Sequence, residues 1–226
     1  MRRIATGVPT SPAAPAPVKP RFRGVSHQIA AFVFPVMGAV AVLLARPSGA
    51  KAAVGVYTAG VTGMYATSAV YHRGNWSPPT KRRLRRIDHS MILVGIASTY
   101  TPIAGIGIGG TTGRVVVAVV WSLAAVGALV RNLWLDAPSW LVALVYIGVG
   151  WTAVAVLPAM WTHLGVVTFL LVLAGGAVYS VGAYVFSRKR PDPYPEVFGF
   201  HEVFHALVLL AGLLFWLAVL RVAVGA

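Results

Sequence analysis

His201 and His205 lie four residues apart in Gly199-Phe-His-Glu-Val-Phe-His205, at the mouth of the last apolar segment. On a helix that spacing puts both imidazoles on one face, which is half of a metal site. Ser68 and His72 repeat the spacing near the end of an earlier apolar segment, and Asp88 follows in Arg86-Ile-Asp88-His89-Ser90. Ionisable side chains at membrane depth are costly and usually functional. Three neutral imidazoles with an open fourth position make a zinc centre of the catalytic kind, and bound zinc lowers the pKa of its water toward about 7. Asp88 can bind such a metal directly, hold a water beside it, or orient a ligand. Ser68 can donate a hydrogen bond to that water or to Asp88. The chain has no cysteine, so disulfides are excluded and a zinc-type site must use His, Asp or Glu.

Each residue alone has a plainer reading. A His-x-x-x-His at a helix start can be interfacial polarity. Ser68 can bond a backbone carbonyl within its own helix. Asp88 can stabilise a helix N-terminus or pair with Arg85 or Arg86, and His72 can mark the interface. His27, at the start of the first apolar segment, reads as an interface marker only. His89 points about 100° away from Asp88 on a helix. Glu202, next to a candidate ligand, is expected to face headgroups or a basic loop, with a supporting role as the alternative.

The elements that must position these groups follow from composition. Of 226 residues, 58% are hydrophobic and 11% charged, against roughly 25% charged in soluble domains. This is an all-α membrane protein. The net charge of +14 does not indicate nucleic acid, because the basic residues fall in short loops between apolar segments. The Pro- and Ala-rich N-terminus, residues 1–25, reads as a disordered cytoplasmic tail without the apolar core of a signal peptide, and 26–226 as the membrane domain. A span needs about 20 apolar residues. Seven segments qualify: 27–45, 53–72, 89–109, 115–135, 140–159, 163–186 and 200–221. The break between the fifth and sixth, Pro158 to His163, has no charged residue to mark it.

Basic residues set the orientation. The tail, the second-to-third loop (Arg73 to Arg86), Arg131 and the sixth-to-seventh loop (Arg188, Lys189, Arg190) place 15 of the 19 Lys and Arg on one side. That side is expected to be cytoplasmic, with the N-terminus inside, the C-terminus outside, and the protein in the plasma membrane. The second span then ends, and the third and seventh begin, at the inner interface. His72, Asp88, His201 and His205 meet at one depth, with Ser68 a turn deeper. Taken together on three helices, they read as a metal centre. His163 falls on the opposite side.

Three stretches carry a resemblance: Ser68-Ala-Val-Tyr-His72, Ile87-Asp-His-Ser-Met-Ile-Leu-Val-Gly-Ile-Ala-Ser-Thr-Tyr-Thr-Pro102 and Gly199-Phe-His-Glu-Val-Phe-His205. The chain resembles the hemolysin III family, within the progestin and adiponectin receptor (PAQR) superfamily, over nearly all its length after the tail. The resemblance implies a seven-helix fold of inverted orientation relative to G-protein-coupled receptors. It implies zinc on His72, His201 and His205, with Asp88 interacting often through water and Ser68 nearby. The superfamily includes ceramide-hydrolysing enzymes, which points to a membrane lipid as substrate. The chain departs from relatives in having no later histidine in Gly212-Leu-Leu-Phe-Trp-Leu217, and Ser26-His27-Gln28 where some carry Glu or Asn.

Three functions compete. In a zinc hydrolase of lipid amides or esters, Asp88 is the general base and Ser68 assists the oxyanion or the water. In a receptor or membrane-homeostasis protein, zinc is structural. A pore-forming cytolysin follows from the family name alone, and segments that all read as permanently embedded do not favour it.

Overall fold

The structure, a computed structural model, describes residues 19–46 and 48–225. Residues 1–18 of the expected tail lie outside them. Lys19 to Gly24 form turns that lead directly into the first helix.

The described residues form seven α-helices: α1 Val25–Leu44, α2 Ser48–Arg73, α3 Pro78–Pro102, α4 Gly110–Leu133, α5 Ser139–Gly150, α6 Leu157–Arg188 and α7 Phe200–Val224. Their ends follow local chemistry. Ser77 precedes Pro78 at the first position of α3, where proline's missing N–H costs nothing. Gly109 and Gly110 take φ of 67° and 58° at the entry to α4, which only glycine does without strain. Gly225 closes α7 in the left-handed conformation. Pro102 cannot donate to its own ladder, and a π-helical stretch, Ile103–Ile108, follows it.

Among the described residues, five runs are long and apolar enough to cross a membrane: Val25–Leu44, Pro78–Ile108, Gly110–Leu133, Ser139–Arg188 and Phe200–Val224. The fourth run, of 50 residues, would reach about 75 Å as one straight helix, more than twice a bilayer core of about 30 Å. It does not run straight. Gly165 has φ 71° and ψ 158°, and Trp151 Nε1 donates to Ser180 Oγ at 2.8 Å across that point. The break expected between Pro158 and His163 is therefore at Gly165. Pro158 sits in the first turn of α6 and is tolerated there.

α2 is less apolar than the five runs because it hides between α1 and α3. Its buried residues Val54, Tyr57, Val61, Met64, Tyr65 and Ser68 recur at helical spacing. Small residues bring α2 and α3 together: a Cβ on Gly60 would meet Ser98 at 2.4 Å, and one on Gly95 would meet Met64 at 2.8 Å. Thr58 and Thr67 return their hydroxyls to the carbonyls of Val54 and Gly63, each at 2.8 Å. α7 packs against α1, α2, α3 and α6. The helices bearing the candidate residues thus share the middle of the bundle.

A close backbone approach lies away from them. A Cβ on Gly113 of α4 would stand 2.2 Å from the carbonyl oxygen of Ala104. Backbone cannot swing aside as a side chain can. Gly113→Ala is expected to destabilise the protein by about 1–3 kcal/mol, read as a lower unfolding temperature in detergent, while metal content per folded chain is unchanged.

Candidate metal centre

α2 delivers Ser68 and His72, α3 delivers Asp88, and α7 delivers His201 and His205. The structure brings all five to one cavity of about 50 Å³, whose wall also includes His27 and His89. Ligand nitrogens of His72, His201 and His205 lie within 4.8 Å of one another. The Nε2 atoms of His72 and His201 are 3.1 Å apart. Tetrahedral bonds of about 2.05 Å would set ligand nitrogens about 3.3 Å apart, so this pair needs little adjustment to hold one ion. His205 is 2% exposed, and its Nδ1 has no hydrogen-bond partner. An unpaired buried polar atom costs roughly 1–3 kcal/mol. The donor set, all imidazole and carboxylate, suits a borderline metal such as zinc. The buried His72, His201 and His205 cluster is therefore able to bind a metal.

Asp88 is not at a helix N-terminus. α3 begins ten residues earlier, at Pro78, so the helix-dipole reading of this carboxylate does not apply. Nor does it pair with Arg85, which donates to Asp136 at 2.9 Å instead. Asp88 is 6% exposed, and its Oδ2 stands 3.9 Å from His72 Nε2. That is too long for a direct hydrogen bond and leaves space for a small bridging group.

The chain before α1 runs beside the ends of α2 and α7. Lys19 Nζ donates to the carbonyl of Arg73 at 3.1 Å, and the amides of Arg21 and Phe22 donate to the carbonyls of Glu196 and Val197. Gly24, at φ 76°, approaches His72 so closely that a Cβ would stand 2.6 Å from the histidine's own. Glu202 does not face headgroups. It is buried, takes the Arg23 guanidinium at 2.5 Å, and accepts from the Gly199 amide at 2.9 Å. Asp192 accepts from the Phe200 amide at 2.7 Å. Both carboxylates fix the helix start that carries His201 and His205 and complement its positive end.

His27 is more than an interface marker. It is 3% exposed, shares a hydrogen bond of 2.8 Å between its Nδ1 and Ser68 Oγ, and stacks on His205 with ring centroids 3.8 Å apart and planes 10° apart. Sequence reasoning passed over it. The available signal was that its place at the inner end of α1 matches the depth of the other histidines.

His89 lines the cavity wall, but its Nδ1 is held by a different helix. Arg131, buried, donates to His89 Nδ1 through Nε at 3.0 Å and through Nη1 to the Trp134 carbonyl at 2.8 Å. Because Arg131 can only donate, His89 Nδ1 accepts and its hydrogen resides on Nε2. His163 is exposed and binds the Ala159 carbonyl of its own helix, apart from the cluster.

The sequence profile described as "Haemolysin-III related" matches residues 16–216. A Bacillus subtilis (strain 168) protein named "Hemolysin-3 homolog" is 32% identical over 146 residues, 65% of this chain and 65% of that protein. A Bacillus cereus protein named "Hemolysin-3" is 29% identical over 188 residues, 82% of this chain and 83% of that one. The chain thus spans slightly under two thirds of the first relative and about five sixths of the second.

Proposed function

This chain belongs to the haemolysin-III related family, and we propose that within it the protein is a zinc-dependent hydrolase of lipid amides or esters, embedded in the plasma membrane. The observation that carries this reading is the clustering of His72, His201 and His205 in one cavity with Asp88 and Ser68. Three imidazoles hold the ion. When bound, zinc supplies Lewis acidity that polarises a carbonyl and makes water easier to deprotonate. Asp88 accepts the proton of the attacking water as general base and returns it to the leaving amine or alcohol. Ser68 donates its hydroxyl hydrogen to the developing oxyanion.

A second cavity, of about 110 Å³ and almost wholly apolar, adjoins the first. Met64, Tyr146, Tyr179 and Ala183 line both. It supports an acyl chain as the part of the substrate held beside the site. A purely structural zinc, the competing reading, needs neither this cavity nor Asp88 within 4 Å of a ligand. The reading is tested by incubating zinc-loaded protein in lipid nanodiscs with ceramides, lysophospholipids and acylglycerols. Free fatty acid, measured by mass spectrometry, is expected from at least one class and is expected to vanish after chelation. Metal-loaded protein that releases no acid from any class would leave the structural role.

The topology belongs to the same proposal: seven spans, N-terminus cytoplasmic and C-terminus outside. α2 supplies one span beyond the five apolar runs, and the fold-back at Gly165 divides the 50-residue run in two. The segment before α1, the α2–α3 loop and the α6–α7 loop meet at one end, and that end carries most of the Lys and Arg, which favours the cytoplasm. The cysteine-free chain allows single-cysteine labelling without background. In intact cells, Thr111→Cys is expected to react with an impermeant maleimide while Ser77→Cys does not. The opposite pattern would invert the protein.

A further inference from the structure

We infer that His27 is a positioning residue of the metal centre, holding the ring plane of His205 and the hydroxyl of Ser68 in place from outside the ligand set. This assignment rests on the metal reading of His72, His201 and His205.

The bland alternative is a histidine that merely fills space. Its surroundings argue otherwise. His27 Nε2 is buried without a hydrogen-bond partner, so the imidazole carries a desolvation cost that phenylalanine or leucine would avoid. What the imidazole provides is specific. Its Nδ1 shares a hydrogen bond with Ser68 Oγ, at 2.8 Å. Its flat face covers one side of His205 at 3.8 Å.

His205 is confined on its other sides by the cluster itself. The His72 and His201 rings meet it at centroid distances of 5.1 and 4.6 Å, tilted by 64° and 67°. Those two rings present nitrogens to the cluster, whereas His27 lies parallel to His205 and is not part of the ligand group. Rotation of His205 out of its plane would drive it into His27. Tyr65, on α2 one turn before Ser68, packs on His27 at 5.1 Å and limits the same movement of His27. A chain of contacts therefore runs from α2 through α1 to α7, and it orients one proposed ligand and one proposed catalytic hydroxyl. Groups that fix a ligand's orientation without touching the metal characteristically tune its affinity.

Two substitutions separate the two contacts. His27→Phe keeps a ring against His205 and removes the partner of Ser68. His27→Asn keeps a polar atom near the position of Nδ1 and removes the ring. Full-length protein is purified in detergent, stripped of metal and titrated with cobalt(II), following its visible absorption, with zinc competition for affinity. His27→Phe is expected to bind cobalt within about threefold of the parent. His27→Asn is expected to bind about 10–100-fold more weakly with an altered cobalt spectrum, because His205 is free to turn. Equal affinities and spectra in parent and both variants would overturn the assignment. A His27→Phe variant that folds but loses tenfold or more would also overturn it, and this arm decides alone should His27→Asn fail to fold. A parent that binds no cobalt or zinc would overturn the metal reading itself, and this assignment with it.

Discussion

His205→Ala is expected to leave the protein without metal. The parent purified in detergent should carry about one zinc per chain by mass spectrometry, and the variant essentially none. His205 lies on the same helical face as His201 and is 2% exposed, so no solvent-borne group can easily replace it. Changing groups beyond the ligands typically costs 10–100-fold in affinity, and loss of one of three ligands should exceed that. Metal also binds only the folded chain. At 1,000 times its dissociation constant a ligand adds about 4 kcal/mol of stability, so a chelator should lower the unfolding temperature of the parent and not of the variant. His163→Ala, at an exposed position, is the control and should keep its zinc. Zinc retained in His205→Ala would show that the three imidazoles are not the ligands.

Asp88→Asn separates chemistry from binding. The amide has the size of the carboxylate but cannot accept the proton of an attacking water. With a substrate from the lipid panel, turnover is expected to fall about 10²–10⁴-fold, the usual contribution of a general base, while zinc content stays at the parental value. The carboxylate's 3.9 Å separation from His72 Nε2 underlies the second expectation, since it stands beside the imidazoles rather than among them. Unchanged turnover would remove Asp88 from the reaction. Loss of zinc together with turnover would place it in the ligand set.

Local regularities made much of this protein legible. Long apolar runs bounded by Gly, Pro and basic residues announce helices in a membrane. The i, i+4 spacings of Ser68 with His72 and of His201 with His205 fix shared faces through helix geometry alone. Apolar runs and loop charges together placed α2, α3 and α7 at a common depth, and the structure brings their polar residues to one cavity. Where local signals were ambiguous, the reading slipped. The break read into the stretch Pro158 to His163 lies a little further on, because proline is harmless in a first helical turn and Gly165 takes a positive-φ, non-helical conformation instead. The charged start of α3 looked like loop, so Asp88 was set at a helix end when it lies well inside.

What the sequence determined by itself is the all-helical membrane class, the family and the imidazole cluster, because these depend on composition and on spacings within single helices. What only the tertiary structure decided is which solitary residues join that cluster. His27 meets Ser68 across 41 residues, Arg23 meets Glu202 across 179, and Gly24 packs on His72. A single histidine or glycine at a helix start carries no periodicity to report its partner. Its role is set by how the helices pack, and that packing is a property of the whole bundle.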